Sequence, residues 1–278
     1  DNQWQWMQDV TNAWNQPGRF VTLVGYETEG VDQGDRCVYT SRSRIKMFQG
    51  TYAPTGALDV VWGHFHGDEQ VVGGPHATMV HETKWEKHDP TVERFAEIYS
   101  MWGASDLRDS SLVAPWIEEG RGLTVNDILK MGAKLGFTGG GDCHEGCGGF
   151  AAEDPEGQGT TSHTFAGILM YRCGLTAAVL PRLDRVSLIQ AIRNRQTYAT
   201  TGARMLIDFS VSDLPMGAIG AAQEVVCRAT IHAIDTLRLV EIVRDGEVAW
   251  SQALDELDAE IEWRDAAPLA GEHYYYLH

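Results

Sequence analysis

Apolar residues recur along this chain in two rhythms that divide it. In the first part they come every three or four positions or in short unbroken runs, and in the last part they alternate. Trp6, Val10 and Trp14 fall at i, i+4 and i+8, which predicts a helix over 4–16 with these three on one side. Pro17-Gly18 stops it. The run from Phe20 to Tyr26 is short, apolar and rich in β-formers, and reads as a buried strand. Arg36–Tyr39 and Gln70–Gly73 read as further strands, and Leu58–Trp62 fits helix or strand equally. Asp89-Pro90 opens a predicted helix through Arg94 and Phe95, because proline suits the first helical position. Glu97-Ile98-Tyr99 then reads as a strand exit. Thr124 is an N-cap with Asp127 three residues on, which predicts a helix over Val125–Leu135 ended by Gly136. A last helix is predicted over Asp184–Arg195, with Leu188, Ile189 and Ile192 inward.

Beyond Gly202 the rhythm becomes period two. Met205, Ile207, Phe209 and Val211 alternate with polar residues, as a half-buried strand requires. Val225–Ile234, Leu237–Arg244, Ile261–Trp263 and Tyr274–Tyr276 continue the pattern, and Asp245-Gly246 supplies a hairpin turn. The expected organisation is an α/β domain over 1–202 and a small all-β, sandwich-like domain over 203–278. Strands alternating with helices imply a parallel sheet, whose ligands sit beyond the C-terminal strand ends.

Composition narrows the chemistry. The 278 residues are 43% hydrophobic and 22% charged, an ordinary globular balance. A net charge of −17 repels phosphate backbones and argues against nucleic-acid partners, but leaves room for a small anionic substrate beside a metal. No apolar run is long enough to span a bilayer, and no signal peptide is visible. Both ends read as truncations, so the compartment is left open. Five scattered cysteines, Cys37, Cys143, Cys147, Cys173 and Cys227, do not make a disulfide framework. Cys143 and Cys147 could pair on zinc only with two further ligands.

Metal-capable side chains follow the predicted strands in succession: Glu27 after the first, His76 after Gly73-Gly74-Pro75, and Asp142 and His144 after Phe137-Thr138. Carboxylate plus imidazole suits zinc, manganese or iron. Each has a plain alternative: a loop carboxylate, a turn or cap residue, a satisfied loop histidine. Glu97 sits among apolar residues, so its carboxylate is either buried with a partner or functional. Gly139, Gly140 and Gly141 allow close backbone approach or make a tight turn. His64 and His66 would face one side of a strand, or be two surface histidines on a loop. His81 and His88 have weaker context, and His163 follows a glycine-rich loop that could fold over a site.

Taken together, Gly25-Tyr26-Glu27, Gly74-Pro75-His76, Glu97-Ile98-Tyr99-Ser100, Asp142-Cys143-His144-Glu145-Gly146 and Arg195-Gln196-Thr197-Tyr198-Ala199-Thr200-Thr201-Gly202 resemble the domain-of-unknown-function family 3604. That family is allied to the polymerase-and-histidinol-phosphatase (PHP) metallohydrolases. The resemblance implies a distorted, PHP-like (β/α) barrel, incomplete at its N-terminus, with two or three divalent ions (zinc, manganese or iron). The implied activity is hydrolysis of phosphoesters by a metal-bound hydroxide. By position it implies Glu27, His76, Asp142 and His144 as ligands, with Glu97 as an additional candidate. His64, His81 and His163 are then candidates to protonate a leaving group. One departure stands out: the family's opening His-x-His lies before its Gly-Tyr-Glu strand, and the 26 residues before Glu27 contain no histidine. The alternatives are a metallohydrolase of amides or sulfate esters, and a non-catalytic binding module with a degenerate metal site.

Overall fold

The computed structural model describes residues 2–28, 34–48, 57–79, 83–108, 110–112, 122–142, 161–165, 168–266 and 270–278. Helix α1 (Asn2–Trp14) leads into β1 (Val24–Thr28), which forms an antiparallel sheet with β2 (Arg36–Thr40) and β3 (Val71–Pro75). The registers place Glu27 opposite Cys37, and Cys37 opposite Gly74. The ambiguous segment at 58–62 is part of helix α2 (Ala57–Phe65), which presses Leu58, Val61, Trp62 and Phe65 into a core with Val24, Val38 and Val71.

The helix expected from Asp89-Pro90 does not form. Asp89 Oδ1 accepts from the Thr91 amide at 2.8 Å, and this local turn competes with helix. The chain instead runs alongside β3, with Gly73 donating to Val92 O at 2.8 Å, and enters β4 (Phe95–Ser100). β4 pairs antiparallel with β5 (Gly103–Ala104) and parallel with β6 (Gly136–Gly139). Between them, helix α3 (Val125–Lys130) opens with the expected capping box of Thr124 and Asp127. It stops five residues early, where Gly132 takes φ +94°.

β7 (Thr161–Phe165) and β8 (Ile168–Tyr171) form a hairpin. β9 (Leu175–Ala178) pairs antiparallel with β10 (Thr197–Thr200) across helix α4 (Arg185–Arg193), whose N-cap Asp184 accepts from Ser187 N at 2.7 Å. The β9–β10 pair leans on β6: Gly139 N donates to Thr176 Oγ1 at 3.0 Å, and Gly174 N to Gly140 O at 2.7 Å.

These facts overturn the PHP-like α/β barrel. A (β/α) barrel needs successive parallel strands, each followed by a crossover helix. Among the described residues the strands outweigh the helices and lie in several small sheets. Of the paired strands, only β4 and β6 run parallel.

The C-terminal part also differs from the expected sandwich. β11 (Leu206–Val211), β12 (Leu214–Pro215), β13 (Val225–Arg244), β14 (Glu247–Asp265) and β15 (Tyr275–Leu277) form one connected antiparallel sheet. Phe209, Ile231, Ile242 and Ile261 centre its own core. One edge of β13 is covered by β14. The other is covered by β11 over Cys227–His232 and by β15 over Ile242–Arg244. Among the described residues, 233–240 carry no strand on that second edge. The β13–β14 register shifts between His232 and Leu237 and again before Leu239. The sheet packs back on the rest of the chain: Phe137 meets Tyr276 edge to face at 5.3 Å, and Asn126 Nδ2 donates to Gly246 O at 3.3 Å. Among the described residues no helix is long and apolar enough to cross a membrane.

Candidate metal centre

The end of the β1–β2–β3 sheet meets the end of the β4–β6 pair around one imidazole. Pro75 closes β3, and His76 follows with its amide on Asp35 O at 3.4 Å. His76 is only 3% exposed. Its Nε2 lies 3.0 Å from Glu27 Oε1 on β1. Its Nδ1 faces Glu97 Oε1 of β4 at 3.6 Å and Asp142 Oδ2, beyond β6, at 3.8 Å. Glu27, Asp35 and His76 each offer a ligand atom, and these atoms all lie within 4.8 Å of one another.

Antiparallel pairing explains the meeting. Arg36 stands opposite Pro75, so the next pair outward brings Asp35 beside His76. Glu27 lies on the neighbouring strand, inside β1 rather than past its end. Two non-glycine residues next to the cluster, Ala77 and Asp142, both hold φ +47°. Asparagine and aspartate visit this left-handed region with modest strain, but alanine does so at real cost, and such strain collects at functional sites.

Glycines make the room. A Cβ on Gly140 would lie 2.1 Å from Glu97 Oε2, and one on Gly74 would lie 2.2 Å from Phe95 O. Within the 139–141 glycine run, the group that crowds Gly140 is the protein's own Glu97 carboxylate.

Electrostatics follows from crowding. Burial pushes the His76 pKa down, but the Glu27 hydrogen bond and the nearby Glu97 carboxylate outweigh it and hold the imidazole well above its ordinary value. Burial raises the Glu97 carboxyl despite His76 beside it. Burial also lifts the Cys37 thiol, under the same cluster, to about 12, so it remains a thiol at neutral pH. Glu97 Oε1 is buried and, among the described residues, has no hydrogen-bond partner. An acceptor-only oxygen left this way beside an imidazole and three other carboxylates fits a cation.

Of the residues singled out in the sequence, Glu27, His76, Glu97 and Asp142 come together. Asp35 was missed; the available signal was its place one residue before a strand of alternating burial, within reach of the Glu27 strand. His144 and His81 lie outside the described residues, as do Cys143 and Cys147. His163 lies on β7, in register with Met170. His64 is set on α2 against Phe48, ring centres 4.8 Å apart, and not among the carboxylates. His66 bonds Asp89 Oδ2 at 2.8 Å on the surface. His88 stacks on Trp85 and bonds Glu93 Oε2 at 2.9 Å.

No protein-family model matches the chain, and no solved structure does. The chain is similar to an uncharacterized protein of Chlamydia pneumoniae, 28% identical over 283 residues that cover 96% of this chain and 43% of that protein. It is also similar to an uncharacterized protein of Chlamydia trachomatis serovar D, 28% identical over 194 residues, covering 65% of this chain and 29% of that protein. A Chlamydia muridarum protein, also uncharacterized, is 28% identical over 191 residues, with 64% of this chain and 29% of that protein covered. The chain therefore spans less than half the length of the curated relatives it matches.

Proposed function

We propose that the chain is a divalent-metal-dependent hydrolase acting on a small anionic ester, in the first instance a phosphoester. The observation that carries this is the convergence of Glu27, Asp35 and His76 ligand atoms within 4.8 Å, with Glu97 and Asp142 on the other edge of the ring. Oxygen donors plus one imidazole suit zinc, manganese or iron. Glu27, Asp35 and His76 would hold the ion. Bound there, it would polarise a phosphoryl oxygen and acidify a water. Glu97 and Asp142 line the Nδ1 side of the ring at 3.6 and 3.8 Å, where the outer partners of a metal-binding histidine stand. Glu27 is the most exposed of the set, 38% for its side chain, so substrate approaches from its side. The sequence resemblance to a family allied to metallohydrolases supports the same reading through Glu27, His76 and Asp142, without the barrel.

A second reading is a structural ion-pair cluster centred on an imidazolium, favoured by the strongly raised His76 pKa. The two part on metal content. Purified protein reconstituted with zinc, manganese or iron is expected to retain at least one equivalent by plasma mass spectrometry. Asp35→Ala and His76→Ala are each expected to lose it. A panel of chromogenic phosphate, sulfate and amide substrates then assigns the bond cleaved. Protein that retains no metal after reconstitution establishes the ion-pair reading instead.

A further inference from the structure

Helix α1 faces the wrong way for a packing helix. Its inner side is Trp4, Gln8 and Thr11: Trp4 Nε1 donates to Ile45 O at 3.1 Å, and Gln8 is buried with its Oε1 on Ile45 N at 2.9 Å. Its outer side carries Trp6 at 63% exposure and Trp14 at 62%, with Met7 and Val10 between them. Phe20, 55% exposed, lies below, and Gly18 N on Leu183 O at 2.7 Å brings Leu183, itself exposed, beside it. Val10, Trp14, Phe20 and Leu23 line a groove of about 840 Å³ there.

We infer that this face is a self-association surface on which a second copy of the chain sits. Three observations select that occupant. The face is self-complementary: Trp6 and Trp14 each stand four residues from Val10. An antiparallel α1 pair with its two-fold axis at Val10 therefore sets each Trp6 against the groove beside the other copy's Trp14. The size fits: aromatic side chains offer about 150–250 Å² each, so the exposed Trp6, Trp14 and Phe20 alone present on the order of 350 Å² of apolar surface. With Met7, Val10 and Leu183 the face approaches the apolar half of a standard interface of roughly 800 Å² per partner. The charge fits: a molecule of net charge −17 repels its own copies, but α1 bears one charged residue, Asp9, which Arg44 pairs with, and the charged residue lining the groove is the cationic Arg19.

Sedimentation velocity across the micromolar range tests this. The protein is expected to pass from monomer to dimer as concentration rises. Trp6→Gln/Trp14→Gln, which adds no charge, is expected to weaken the dimer about thirtyfold or more, as loss of tryptophan anchors does. Both side chains point to solvent, so the variant keeps its fold, checked by circular dichroism. Val10→Cys is expected to form a covalent dimer on oxidation that the unsubstituted protein does not. Monomer at every concentration, or a dimer indifferent to the tryptophan variant, overturns the inference.

Discussion

Single residues decide the candidate site, and Gly140 is the sharpest case. Its missing side chain is filled by Glu97 Oε2, 2.1 Å from where a Cβ would stand. That oxygen is the far end of a flexible side chain, so it swings away at little cost in stability. Gly140→Ala is therefore expected to weaken metal binding by about 10- to 100-fold while leaving the melting temperature nearly unchanged, read by calorimetric titration beside a thermal melt. His273 is a residue-scale test outside the site. Its Nδ1 lies 2.6 Å from Asp245 Oδ2, and that hydrogen bond lifts its pKa above the ordinary 6.5. A raised folded-state value means the contact stabilises fully below the unfolded pKa and is lost as pH rises through the folded one. The NMR titration midpoint of His273 is expected above 6.5 and to return to the ordinary range in Asp245→Asn; an ordinary midpoint in the unsubstituted protein would show that the contact does not persist.

Between elements, the deepest polar contact ties the first sheet to the entry of β4. Arg36 Nε lies 2.5 Å from Glu93 Oε1, and both side chains are fully buried. Glu93 Oε2 also takes His88 Nδ1 and the Asp89 amide. Glu93→Ala leaves a guanidinium in the core with its carboxylate partner gone, and is expected to cost about 3–5 kcal/mol in denaturant melts. Arg36→Met/Glu93→Leu is expected to recover most of that loss. This scale also shows how far the sequence could be read. The cap at Thr124 and the Asp245-Gly246 turn were legible because local chemistry sets them. Glu27, His76, Glu97 and Asp142 were legible as metal-capable side chains in or after strands. Strand direction was not, because pattern fixes which face is buried and leaves the partner open. Three antiparallel strands were therefore taken for parallel ones, and Asp35, brought in by that pairing, was overlooked. The outward turn of α1 was equally hidden, since the same periodicity describes a face turned in or out.

At the scale of the whole molecule, polar contacts tie the C-terminal sheet to the rest, and Tyr198 supplies two of them. Its hydroxyl donates to Met205 O at 2.8 Å and accepts from Ile207 N at 3.2 Å, fixing β10 to the start of β11. Tyr198→Phe leaves both backbone groups without this partner and is expected to cost about 1–3 kcal/mol. Hydrogen exchange should show the loss first at the Ile207 amide. Equal protection in the variant would mean the seam is held by packing, as at Phe137 and Tyr276. The uncovered stretch of β13 between β11 and β15 bears on the molecule's behaviour in a crowded solution. A regular, unpaired strand edge offers evenly spaced donors and acceptors, and any passing extended chain can copy them into an aggregate. The register breaks after His232 and before Leu239 fall within that uncovered stretch. They put its backbone groups out of step and its twist off line, so the gap is a poor template for a growing fibril.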